Sequence, residues 1–113
     1  MMPLPPIHPV GPLGQFRLQV PEHHPAFAGH FPGHPVLPGV VQVDWAIRLG
    51  QATFGDLGTF ARITQLKFLR PIGPSDSITL VLSHDPERRL LAFSYEGDEG
   101  RRSSGTVGFE EPA

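Results

Sequence analysis

The chain has no cysteine. That excludes disulfide staples, thiolate metal ligands and a cysteine nucleophile. Charge of one sign is also missing: Lys and Arg nearly balance Asp and Glu, and the formal net charge is −2. So small a charge gives no field for nucleic acid or for an acidic membrane. No apolar run reaches the roughly 18 residues that a membrane-crossing helix needs. Residues 1–14 lack the basic start of a secretory leader, so the cytoplasm is the expected compartment. No internal repeat is present. A chain of 113 residues fits one domain. So small a domain keeps a large surface fraction and would gain from pairing with a second copy.

Proline, by contrast, is abundant and unevenly placed: ten of the 14 precede position 39. Residues 1–14 are expected to be a flexible Pro-rich tail, and 15–113 a single domain. Phe16-Arg17-Leu18-Gln19-Val20 alternates and predicts a short strand ended by Pro21. Residues 22–38 hold too much Pro, Gly and His for helix or strand. Phe27, Phe31, Val36 and Leu37 would anchor them as an ordered loop.

From Gly39 to about Phe54 the pattern is helical, and Pro38 suits its first turn. Val40, Val43, Ile47 and Phe54 fall on one side, and Val41, Trp45, Leu49 and Ala52 on another. A helix apolar nearly all round is expected to be buried. Asp44, Arg48 and Gln51 form its narrow polar stripe. Four strands follow, over 60–69, 77–84, 89–95 and 102–109, separated by turn clusters rich in Gly, Pro and Asp. Ile78, Leu80 and Leu82 share one face, as do Leu91, Phe93 and Tyr95. The predicted class is α+β, an antiparallel sheet wrapped around one central buried helix.

The segment Gly29-His30-Phe31-Pro32-Gly33-His34-Pro35-Val36-Leu37-Pro38-Gly39 carries the chemistry. Pro32 and Pro35 stiffen a loop that presents His30, a base able to titrate near neutral pH. Gly39 opens a helix, where N–H groups lack partners and the dipole is positive. Asp44 follows inside that helix. These are the parts needed to move protons beside a carbonyl.

Together with Lys67-Phe68-x-Arg70-Pro71-Ile72, this segment resembles the 3-hydroxyacyl-acyl carrier protein dehydratases. That family carries a GHFPGxPVxPG segment with its acid fourteen residues beyond the histidine, the spacing of His30 and Asp44. The phrases around His24–Gly33 and Val41–Ala46 look most like the stand-alone dehydratases of aryl-polyene pigment clusters. The resemblance implies the hot-dog fold and a reaction without cofactor or metal. It also implies a homodimer with shared sites, acting on an acyl carrier protein thioester.

It further implies roles. His30 would take the C2 proton, and the Gly39 N–H would hold the thioester oxygen. Asp44 would protonate or orient the leaving C3 hydroxyl, since desolvation in an apolar helix favours the protonated acid. Phe31, Pro38, Val40, Arg48 and Phe68 would border the substrate, in an apolar tunnel beside the helix. Arg48 departs from the glutamine usual in the family and would oppose a free-acid role for Asp44.

Plainer readings compete. His30 could only hold its loop, and Gly39 could merely begin a helix. Asp44 and Arg48 could be a surface pair worth roughly a few tenths of a kcal/mol. His23 and His24 are expected to be solvated, and Trp45 to be core or dimer contact. The histidines at 23, 24, 30 and 34 match no common zinc spacing. Two other functions fit the same fold: a non-catalytic partner subunit of a dehydratase heterodimer, or an acyl thioesterase.

Overall fold

Period-two alternation in the second half of the chain builds the sheet it predicts. The computed structural model describes residues 2–28, 33 and 35–111. Its elements are β1 (Ile7–Pro9), β2 (Gln15–Gln19), a 3-10 turn (Pro25–Phe27), α1 (Gly39–Phe54), β3 (Thr59–Phe68), β4 (Ser77–Asp85), β5 (Leu90–Gly97) and β6 (Gly100–Glu110). All neighbouring strands are antiparallel, in the order β1-β2-β4-β5-β6-β3. Ile78, Leu80 and Leu82 of β4 and Leu91, Phe93 and Tyr95 of β5 turn inward and are buried. One helix lies on that inner face, against β4 and β5. This is the hot-dog arrangement.

The helix ends where local chemistry says it should. Pro38 stands at the N-cap, with its carbonyl accepting from the N–H groups of Val41 and Gln42. Gly55 closes the other end, donating its N–H to the Gln51 carbonyl. Gln42, Trp45, Ala46 and Leu49 form the face pressed on the sheet, and Trp45 is fully buried. Gly50 permits the close approach to β5: a Cβ there would come within 2.7 Å of Leu91 Cδ2.

Two expectations need correction. The first is the flexible tail. Ile7–Pro9 is an edge strand whose residues pair with Phe16–Leu18, and Pro5 is buried. An edge strand needs partners on one side only, so prolines are tolerated there. The second concerns the helix, which is buried against the sheet as expected but not all round. Val40 is 77% exposed, and Ile47 is only partly covered. The helix sits over the middle of the sheet and leaves the inner face of the edge strand β3 open.

β3 itself departs from simple alternation. Its register with β6 shifts between Phe60 and Arg62 and again between Thr64 and Lys67. Gln65 takes a positive φ of 55° at the second shift. These are β-bulges, and each inserts an extra residue. Phe60, Ile63 and Phe68 therefore lie opposite Phe109, Val107 and Ser103, on the same inner face as the helix. Leu66 joins them, reaching toward Gly105.

Candidate active site

The open strip between α1 and β3 is an apolar groove of about 440 Å³. Gly39, Val40, Val43, Asp44 and Ile47 line it from the helix, and Phe60, Ile63, Leu66 and Phe68 from the strand. Asp44 is the one ionisable side chain in that lining. It is not buried within a single protomer: its side chain is 38% exposed, facing the groove mouth rather than the core.

Arg48 stands one turn further along and is not part of the lining. Its Nη1 donates to the Met2 carbonyl at 2.7 Å and reaches Asp44 Oδ2 only at 3.4 Å. The shorter bond is to backbone, so the guanidinium is held mainly by the N-terminal segment. The departure at position 48 thus leaves the Asp44 carboxyl accessible from the groove.

Gly39 lies where two cavities meet. The second cavity, of about 560 Å³, runs behind the helix start and is bordered by Val36, Pro38, Gln42, Leu69 and Arg70 among others. Gly39 and Phe68 belong to both. The Phe68 ring lies against the Gly39 Cα, and a methyl group there would overlap it. The Gly39 N–H has no partner among the described residues, as befits the first residue of a helix. Gly39→Ala keeps the N–H but is expected to displace Phe68 and cut kcat about a hundredfold with the fold retained, the scale of misplacing a reacting group by about 1 Å. Steady-state kinetics beside a circular dichroism melt checks this.

Of the residues singled out from sequence, Gly39, Val40, Asp44 and Phe68 converge on the groove, and Pro38 borders the adjoining cavity. His30 and Phe31 lie outside the described residues. No group of three or more potential metal ligands occurs among the described residues.

Sequence reasoning missed a buried polar cluster beneath the helix start. Gln42, Ser103 and Tyr95 are all buried. Tyr95 donates its hydroxyl to the Gln42 carbonyl at 2.7 Å. Burial, and secondarily the negative charge of Asp44, pushes the Tyr95 phenol well above its ordinary range, so it stays a neutral donor. The available signal was a lone amide on the otherwise apolar face shared with Trp45 and Leu49.

His24 is a further correction. It is 6% exposed rather than solvated. Its Nδ1 accepts from the Ala26 N–H, and Nε2 lies 2.8 Å from the Pro3 carbonyl. Nε2 therefore carries the proton. The ring stands edge-on to Trp45. His24 ties the N-terminal segment to the chain just before the histidine loop.

Known proteins share this arrangement. A family model described as ApeI-like, ApeI dehydratase, matches residues 13–106. The 3-hydroxyacyl-acyl-carrier-protein dehydratase FabZ of Herpetosiphon aurantiacus is 35% identical over 92 residues, covering 75% of this chain and 63% of that protein. The FabZ of Gluconobacter oxydans is 38% identical over 85 residues, covering 66% of this chain and 49% of that protein. The chain thus spans about half to three fifths of the length of these curated relatives. Among solved structures, the dehydratase heterocomplex ApeI:P from Xenorhabdus doucetiae matches with a TM-score of 0.78 and 32% identity, over 83% of each chain. An uncharacterized protein from Erwinia carotovora subsp. atroseptica matches with a TM-score of 0.74 and 32% identity, over 96% of this chain and 95% of that one.

Proposed function

The chain belongs to the ApeI-like dehydratases, and on that premise we propose that it converts (3R)-3-hydroxyacyl thioesters to trans-2-enoyl thioesters. The observation that carries this reading is a single carboxyl, Asp44, set into an apolar groove beside the Gly39 N–H. The acyl chain lies along the groove, and the thioester carbonyl accepts from Gly39. His30 removes a proton from C2, and the enolate charge develops on the oxygen held by that N–H. The C2–C3 double bond forms as the C3 hydroxyl departs. Asp44 protonates or orients that hydroxyl, and the products are water and the enoyl thioester. Nothing is oxidised or reduced, so no redox cofactor is required.

The groove needs a cover. Val40, Phe60, Leu66 and Phe68 are large apolar side chains left exposed on one face, and the outer edge of β3 has no strand partner among the described residues. A second copy of the chain covers both, and it brings its own histidine loop to the Asp44 of its mate. The resulting homodimer has two shared sites. The substrate is carried on an acyl carrier protein, the donor named for the FabZ relatives, and the proposed compartment is the cytoplasm. The acyl chain is fatty-acid-like or an aryl polyene.

A second reading is favoured by one observation. The solved structure from Xenorhabdus doucetiae is a dehydratase heterocomplex, and in this reading the chain pairs with a different subunit, itself of hot-dog fold. One experiment separates the readings: the purified chain alone is given a 3-hydroxyacyl thioester. Enoyl thioester formed by a dimer of one chain type supports the homodimeric dehydratase. Turnover only after a second subunit is added supports the heterodimer. Release of free thiol identifies a thioesterase instead.

A further inference from the structure

We infer that Gln42 is a positioning residue, whose buried amide aims the Gly39 N–H. The role of that N–H rests on the dehydratase reading above; the geometry of the clamp does not.

The Pro38–Gly39 peptide sets the direction of the Gly39 N–H, because in a trans peptide the N–H points opposite the preceding carbonyl. The Pro38 carbonyl is held by the main-chain N–H groups of Val41 and Gln42, at 3.1 and 3.2 Å. Pro38 offers no side-chain cap, so the usual Ser, Thr or Asp device at a helix start is missing. The Gln42 side chain takes over one residue earlier. Its Nε2 donates to the Leu37 carbonyl at 3.0 Å. Leu37 in turn donates its own N–H to the Ile72 carbonyl at 2.7 Å. Both polar groups of Leu37 are thus occupied, and the ring of Pro38 fixes the next φ.

The amide cannot turn over. The Leu37 carbonyl can only accept, so Nε2 must face it, and Oε1 is left to accept from Ser103 Oγ at 2.6 Å. Tyr95 secures the Gln42 main-chain carbonyl from β5. An apolar side chain would pack against Trp45 and Leu49 more simply than an amide, which is tolerated in burial only with its hydrogen bonds made. One of the bonds it makes ends at the residue before Pro38-Gly39. Misplacing a catalytic donor by about an ångström costs rate steeply, and this clamp sets that placement.

The test compares Gln42→Met, Ser103→Ala and the double variant with the parent chain. The probe is the N-acetylcysteamine thioester of a 3-hydroxyacyl chain, followed by enoyl absorbance, with the Gly39 amide resonance recorded by NMR. Gln42→Met is expected to move that resonance and to lower kcat between about tenfold and about a hundredfold, with little change in KM. The double variant removes the stranded Ser103 donor and should regain thermal stability without regaining kcat. Ser103→Ala keeps the bond to Leu37 but leaves Oε1 without its donor, and should give an intermediate kcat. An unmoved Gly39 resonance overturns the clamp. Recovery of kcat together with stability in the double variant overturns its role in the reaction. If the parent chain alone forms no enoyl thioester, the homodimeric dehydratase reading fails, and the resonance alone still decides the clamp.

Discussion

His30→Ala is expected to slow conversion of a 3-hydroxyacyl thioester about a thousandfold, and Asp44→Ala to do the same, the scale of a lost general acid or base. Asp44→Ala should not unfold the chain: among the described residues Asp44 is part-exposed in the groove and reaches Arg48 only at 3.4 Å. Asp44→Asn divides the two roles left open for the acid. An amide can orient a hydroxyl but cannot donate the acid proton. Activity near that of the parent in Asp44→Asn therefore assigns orientation to Asp44 and both proton transfers to His30. Activity as low as in Asp44→Ala assigns it the acid role. Mixing the two alanine variants tests whether the sites are shared. If base and acid come from different protomers, half of the randomly formed dimers are mixed, and one of the two sites in each is intact. Activity then returns to about one quarter of the parent's, as two-fold symmetry requires. No recovery on mixing, with each variant inactive alone, means that both groups serve from one protomer. Parent-like rates in both variants would remove His30 and Asp44 from the mechanism altogether.

The second large effect concerns the groove's cover. Phe60→Glu combined with Leu66→Glu is expected to weaken self-association at least a hundredfold, about 2.7 kcal/mol, and to abolish turnover at working concentrations. Both side chains are more than two fifths exposed in one protomer, so the melting temperature of the monomer should move little. In the proposed dimer the carboxylates would instead meet the apolar surface of the mate, where an unpaired charge is costly. Sedimentation beside a rate assay reads both quantities. A dimer of unchanged strength would show that this face is not the contact. A monomer with full activity would show that the site is complete in a single chain.

Much of the fold was legible because its causes are local. The α1 boundaries followed from Pro38 and the Gly55 turn, and the inward faces of β4 and β5 from strict alternation. The same local logic set Asp44 within reach of the helix start, since a helix spaces residues 39 and 44 by geometry alone. It failed wherever the deciding neighbour was distant in sequence. Proline content argued for a loose tail, yet β2 supplies a partner that holds Ile7–Pro9 as an edge strand. His24 looked solvated because nothing near it predicted the Pro3 carbonyl. Gln42 looked like part of an apolar helix because Ser103 and Tyr95 are more than fifty residues away.

The order of residues alone determined the class of fold, the helix and its acid, and the family to which the motif points. Those depend on periodicity and spacing, which are written along the chain. Tertiary structure alone decided that the helix covers only part of the sheet and that two bulges turn Phe60, Ile63, Leu66 and Phe68 to one side. It also decided that Arg48 bonds a carbonyl 46 residues away more closely than its neighbour Asp44. Each of these is a competition between contacts remote in sequence, and the winner is set by where the packed elements come to rest.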